Sequence, residues 1–219
     1  MTDRREFFKK SLGFMAGAIV LISPLAAFVK KAYAKTKKII LPKGTKRQSL
    51  IQKNPKTIDA RNLEVTPLKN FETMGITDYE VDLDKWRLVV NGAVRAPLTL
   101  TYGEVKDLPP MEKEVLLICP GFFAIFGRWK EIAMEHLLQM AEMDREVTHV
   151  TFHGPEGNYE KTESFPIEEV KTGKIFLAYQ VNGNPLPRKH GFPLRIVAED
   201  RYGFEWVKYV YKVTAEKKL

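Results

Sequence analysis

The chain contains one cysteine, Cys119, directly after the apolar run Val115-Leu116-Leu117-Ile118 and directly before Pro120-Gly121. Residues 114–118 read as a buried strand that Pro120 stops at the thiol. A strand end is a rigid mount whose side chains project into the loops that build sites. A thiol there can serve as a soft metal ligand or as a nucleophile, and the plain alternative is a small buried hydrophobe. A second group is Arg188-Lys189-His190-Gly191-Phe192-Pro193-Leu194-Arg195, followed after a Tyr202-Gly203 turn by Phe204-Glu205-Trp206-Val207-Lys208. Arg195 and Lys208 are expected on two strands joined by a tight turn, where they can converge on one anionic group with His190 at the entrance. The alternative is a hairpin whose charges face water. His136, His149 and His153 have no zinc-type spacing with the single cysteine and read as structural. There is no Walker loop, dinucleotide fingerprint or Gly-x-Ser-x-Gly elbow.

The elements that must position these groups are mostly short strands. Residues 86–92 form a strand closing in Asn91-Gly92, and Pro97-Leu98-Thr99-Leu100 opens another. Residues 131–143 fit a helix with Ile132, Leu137, Leu138 and Ala141 near one stripe. Strands are expected again at 147–152, 175–181, 193–198 and 205–213, bounded by Gly154-Pro155-Glu156-Gly157, Asn182-Gly183-Asn184-Pro185 and Tyr202-Gly203. Many strands with one or two helices indicate a mixed α+β fold with a curved, barrel-like sheet and short helices.

Upstream, Arg4-Arg5 precedes Phe7-Phe8-Lys9, and an apolar run extends over residues 12–29 to Ala32-Tyr33-Ala34. Residues 1–34 therefore read as a twin-arginine signal peptide cleaved after Ala34, with a retained membrane anchor as the alternative. That route implies a twin-arginine translocase as partner, a periplasmic destination, and a cargo folded around its cofactor before export. Residues 35–64, basic and broken by Pro42, Gly44 and Pro55, read as a loosely packed arm, and residues 65–219 as the functional domain. The net charge of +8 falls to about +4 without the leader, whose six basic residues face Asp3 and Glu6. The remaining lysines are scattered and no recognition motif appears, which excludes nucleic acid as a partner.

The order of these pieces resembles the sulfite oxidase family of molybdopterin-binding oxidoreductases. His190-Gly191-Phe192-Pro193-Leu194-Arg195, with Lys208 thirteen residues on, is similar to that family's cofactor-binding pattern, and the strand cysteine to its metal-ligating one. The strand at 86–92, the Pro97–Leu100 step, Leu177-Ala178-Tyr179 and Leu186-Pro187 extend the likeness over residues 65–214. The resemblance implies the sulfite oxidase-type molybdopterin-domain fold and one molybdenum per chain, held on a molybdopterin whose dithiolene leaves room for Cys119 as the protein thiolate. It further implies that Asn70, Phe71, Glu72, Thr73, Gly154, His190, Arg195, Trp206, Val207 and Lys208 hold the pterin and its phosphate.

The ten-residue spacing from Cys119 to Trp129 resembles, within this family, the periplasmic methionine sulfoxide reductase branch. Sulfite-oxidising members carry an arginine within a few residues of the cysteine. Here Phe122-Phe123-Ala124-Ile125-Phe126 fills that place and the next arginine is Arg128. The implied activity is oxygen-atom transfer to or from a small substrate, such as a sulfoxide or sulfur compound. With no Cys-x-x-Cys-His for haem attachment, electrons pass to a separate carrier, such as a cytochrome or a membrane haem subunit. Two other readings stay open from the residues alone: a metal-free enzyme whose Cys119 is activated by His153 or His190, and an exported anion-binding module.

Overall fold

Two facing requirements shape the chain: a long central hairpin is apolar on both faces, and both faces must be covered. The computed structural model of the protein describes residues 38–157 and 161–218. The twin-arginine motif, the apolar run and the cleavage site lie outside those residues. In chain order the strands and helices are β1 (Ile39–Ile40), β2 (Ile58–Asp59), β3 (Leu88–Gly92), β4 (Leu98–Leu100), α1 (Tyr102–Asp107), β5 (Pro110–Cys119), β6 (Phe123–Ile132), α2 (Met134–Met140), β7 (His149–His153), β8 (Thr162–Pro166), α3 (Ile167–Lys171), β9 (Ile175–Val181), β10 (Asn184–Pro185), β11 (Arg195–Ala198) and β12 (Lys212–Glu216). One five-stranded sheet runs β10-β9-β6-β5, with β11 also paired to β9, and the other runs β4-β3-β12-β7-β8. Within these sheets β3 and β12 pair in parallel and the remaining neighbours are antiparallel. The result is the expected mixed α+β architecture with a curled half-barrel sheet and short helices.

Successive strand residues point to opposite faces, and β5 shows the consequence. Val115 and Leu117 enter the main core with Ile125, Trp129, Phe176 and Ile196. Leu116 and Ile118 turn the other way, onto Leu50, Ile58, Leu63, Ala124 and Phe126. The basic segment expected as a loose arm supplies Leu50, Ile58 and Leu63 to this second core, so it lies against the outer face of the β5–β6 hairpin. Its end is clamped there: the Thr66 amide donates to the Phe126 carbonyl at 2.7 Å, and the Phe126 amide donates to Thr66 Oγ1 at 3.0 Å.

Two elements differ from expectation. The helix expected at 131–143 is shorter, because β6 continues to Ile132 through a bulge between Lys130 and Glu131, and α2 spans only Met134–Met140. The strand expected at 205–213 is displaced to Lys212–Glu216. Trp206, Val207, Tyr209 and Val210 are all buried, which one face of an alternating strand cannot achieve, and Tyr209 adopts φ 58°. Residues 206–211 instead run irregularly beside β11, held by Ile196 N–H to the Val207 carbonyl (2.9 Å) and Val210 N–H to the Leu194 carbonyl (2.8 Å).

Candidate active site

Cys119 closes β5 opposite Phe123, and Pro120, Gly121 and Phe122 make the turn between them. Gly121 supplies the φ of +80° that the turn requires, and its amide donates to the Ile51 carbonyl at 3.0 Å. The second core thus fixes the turn from behind. The thiol is half-buried on the wall of a cavity of about 620 Å³, with its Sγ 3.3 Å from the Met74 Sδ. Burial raises the thiol pKa above its ordinary value, so the free group is a neutral thiol. A nucleophilic cysteine needs the reverse, a pKa lowered by an adjacent base. Among the described residues no histidine nitrogen hydrogen-bonds the sulfur; His153 Nε2 contacts Thr214 Oγ1 at 3.0 Å instead and does not line the cavity. A metal removes the proton itself on ligation, so the raised pKa is compatible with a ligand role.

Across the same cavity stand two cations, Arg195 and Lys208. Arg195, at the start of β11, is 5% exposed and packs against the rings of both Trp129 (5.2 Å) and Trp206 (5.4 Å), which touch each other edge to face. It donates to the carbonyls of His190 (2.9 Å) and Ile196 (3.2 Å), and burial lowers its pKa to about 10. Lys208 donates to Thr73 Oγ1 (3.2 Å) and to the carbonyls of Met74 (2.9 Å), Ile76 and Lys189 (3.3 Å). Burial, and next the charge of Arg195, bring its pKa to about 8. Among the described residues neither cation has a carboxylate partner, although fifteen ion pairs form elsewhere on the surface. Two adjacent, partly desolvated cations are costly unless an anion is to be bound between them.

His190 and Trp206 add unmet polar atoms. His190 is 2% exposed, edge-on to Phe71 at 5.7 Å, and its pKa falls to about 4 through burial and then through Arg195, Lys189 and Lys208. It is therefore neutral at pH 7. His190 Nε2 and Trp206 Nε1 are buried without a hydrogen-bond partner among the described residues, and both side chains line the cavity. Such atoms are rarely left unpaired, and a polar ligand would satisfy them.

The fold brings Phe71, Glu72, Thr73, Cys119, His190, Arg195, Trp206 and Lys208 to one cavity. Three expected residues lie off its wall. Asn70 borders a neighbouring cavity of about 420 Å³ together with Glu72. Val207 is wholly buried behind Trp206. Gly154 sits behind Lys208, where an added Cβ would lie 3.5 Å from the Lys208 carbonyl oxygen and 3.3 Å from that of Lys161. The expectation that Lys208 sits on a strand does not hold either; the irregular run 206–211 carries it. Met74 follows the expected Asn70–Thr73 stretch and Phe122 lies in the aromatic run after Cys119, whereas sequence reasoning did not assign Lys161, whose position rests on folding alone. Arg128, the first arginine after the cysteine, is turned away from the cavity into an ion pair with Glu114 at 3.0 Å.

The family described as the oxidoreductase molybdopterin-binding domain matches residues 74–218. The chain belongs to this family. As a molybdopterin-binding oxidoreductase, it is 31% identical over 137 residues to the uncharacterized oxidoreductase YuiH of Bacillus subtilis (strain 168), covering 62% of this chain and 68% of that protein. It is 27% identical over 143 residues to the protein-methionine-sulfoxide reductase catalytic subunit MsrP of Gluconobacter oxydans (strain 621H), covering 58% and 46%. The MsrP of Campylobacter jejuni is 22% identical over 229 residues, with 98% and 73% covered. Among solved structures, the sulfane dehydrogenase SoxCD of Paracoccus pantotrophus shares the fold at TM-score 0.59 and 24% identity, covering 64% of this chain and 40% of that one. The chain thus spans between under half and about three quarters of its curated relatives.

The cofactor of this molybdopterin-binding oxidoreductase is molybdopterin with molybdenum. The cavity's chemistry fits it. Among the described residues no cluster of three histidine, cysteine, aspartate or glutamate side chains could hold a metal, so a metal at Cys119 requires ligands from an organic group. The unpaired Arg195 and Lys208 suit a phosphate, and the unmet His190 and Trp206 nitrogens suit a polar heterocycle.

Proposed function

We propose that the chain is an exported oxygen-atom-transfer enzyme acting on a small neutral sulfur compound, a sulfoxide being the best match, with Cys119 as the protein ligand of molybdenum. The observation that carries this reading is the shared cavity: one thiol on a strand end, facing a buried arginine and a half-buried lysine that have no carboxylate partner among the described residues. Asn70, Phe71, Glu72, Thr73, Gly154, His190, Arg195, Trp206, Val207 and Lys208 belong to the proposed cofactor-binding set, with Asn70, Gly154 and Val207 acting from behind the wall. The bound cofactor supplies a metal that changes oxidation state while an oxygen atom moves.

The chain's own residues set the conditions. Arg195 and Lys208 neutralise the phosphate, and neutral His190 and the Trp206 N–H orient the ring system without adding charge. The rim is mainly apolar, with Phe122 and Phe204 each 59% exposed and Met74 47% exposed, and its cation Lys161 is paired with Glu163. With Arg128 committed to Glu114, that rim offers an approaching sulfite dianion no arginine, whereas a neutral sulfoxide loses little on entering it. The likeness to two methionine-sulfoxide reductase subunits supports this direction. Residues 1–34 send the folded enzyme through the twin-arginine translocase to the periplasm, and a cytochrome or membrane haem subunit relays electrons.

The metal-free nucleophile is disfavoured by the raised thiol pKa and the missing histidine contact. The test is turnover of the molybdenum-loaded protein with a reduced viologen dye as donor. Methionine sulfoxide or dimethyl sulfoxide is expected to be reduced at least tenfold faster than sulfite is oxidised with a dye acceptor, a difference of about 1.4 kcal/mol. Faster sulfite oxidation would overturn the substrate assignment, and full activity in molybdenum-free protein would overturn the metal role.

A further inference from the structure

The β5–β6 hairpin has a second functional-looking end. At the end opposite Cys119, about 26 Å away along β5 at ~3.3 Å per residue, Met111 pairs with Glu131 beside the bulge in β6. There the strands meet α2 and the end of α3 around a separate cavity of about 370 Å³. Glu131 lines it, is 4% exposed, and has no hydrogen bond or ion pair among the described residues. The cation acting on it, Lys113, is committed elsewhere, to Glu199 at 2.6 Å and to the Gly173 carbonyl at 3.0 Å. Glu112 and Glu135 stand at the exposed rim with Lys171, while Met111, Met134, Val170 and Phe176 give the cavity apolar walls.

A buried carboxylate without a partner is expensive, and an apolar residue of similar size would fill this position more cheaply. The cost is recovered where a cation enters. A volume of this size suits a compact organic molecule, and the surplus of carboxylates over free ammonium groups selects its sign. We propose that this cavity is a second ligand site, distinct from the cofactor cavity, that takes a primary ammonium carried on a short alkyl chain, with Glu131 as its counter-ion at the floor and Glu112 and Glu135 guiding entry.

Burial holds the Glu131 pKa near 7, so binding of an ammonium must ionise it and should strengthen with pH. The other charged groups facing the cavity are Glu112, Glu135, Lys113 and Lys171. The experiment is isothermal titration calorimetry of the cofactor-loaded full chain with n-butylammonium, n-butanol and Nα-acetyl-lysine methylamide. We expect saturable one-to-one binding of n-butylammonium, none of butanol, about tenfold tighter binding at pH 8 than at pH 6, and at least a tenfold loss in Glu131→Gln. Glu135→Gln should weaken binding less, and neither variant should alter turnover at Cys119. Equal binding of the lysine derivative would mark the ligand as a side chain of a protein partner, and exclusion of it would mark a free amine. No saturation with n-butylammonium, a flat pH profile, or unchanged affinity in Glu131→Gln would each overturn the site.

Discussion

The two ends of the β5–β6 hairpin are built on opposite imbalances. At the turn end, buried Arg195 and half-buried Lys208 face a thiol with no carboxylate partner among the described residues. At the open end, Glu131 is a buried acid whose neighbouring cation, Lys113, is committed to Glu199. One hairpin is stiff enough to carry both because each face is packed, one by the main core and one by residues 50–66. The contrast teaches that uncompensated buried charge, more than cavity size, marks where a ligand is to be expected, and that its sign states what the ligand must carry.

The comparison can be broken by removing each charge in turn. Arg195→Ala should have the largest effect, because it leaves the His190 and Ile196 carbonyls without their donor and removes the guanidinium packed against two tryptophans. We expect a loss of about 2–5 kcal/mol in cofactor binding, read as molybdenum and pterin content per chain, together with a lower melting temperature. Unchanged content would mean the turn end holds no anion.

Glu131→Gln should act with the opposite sign. A carboxyl whose folded pKa is raised from 4.5 to about 7 leaves the ligand-free fold fully stable below pH 4.5 and costs stability as pH rises through 7. The amide removes that loss. The variant should therefore exceed the parent in unfolding free energy at pH 8 by up to about 3 kcal/mol, less where solvent screens the carboxyl, and match it at pH 4.5. Urea unfolding at both pH values checks this; a gain that is equal at both would show packing rather than charge.

Lys208→Gln sharpens the picture at smaller scale. Its ammonium is already shared among Thr73 Oγ1 and the three carbonyls of Met74, Ile76 and Lys189. Its loss should lower cofactor content by about tenfold or less, or 1.4 kcal/mol. In the parent protein, loading from free cofactor should weaken above pH 8, where Lys208 loses its proton. Loading that stays constant from pH 7 to 9 would remove Lys208 from the phosphate site.

Much of the turn end was legible before folding. Cys119 before Pro120, and the His190-to-Arg195 run with Lys208 downstream, bear residue types and order that chemistry constrains. The run at 206–211 was misread because its apolar residues suit a strand, while their simultaneous burial demands irregular backbone. Residues 35–64 read as a loose arm because Leu50, Ile58 and Leu63 are far apart in sequence and meet only on the outer face of the hairpin. The Glu131 end was hidden for another reason. In a helix reading Glu131 is an ordinary exposed first-turn acid, and only the continuation of β6 through the bulge buries it.

The account rests on sulfur ligation by Cys119, and X-ray absorption at the molybdenum K-edge tests it most directly. Fully loaded parent protein and Cys119→Ser should differ by one molybdenum–sulfur scatterer, with loss of turnover greater than about 100-fold, since even outer-shell partners of a metal are worth 10–100-fold. Identical sulfur coordination in the two proteins would contradict it.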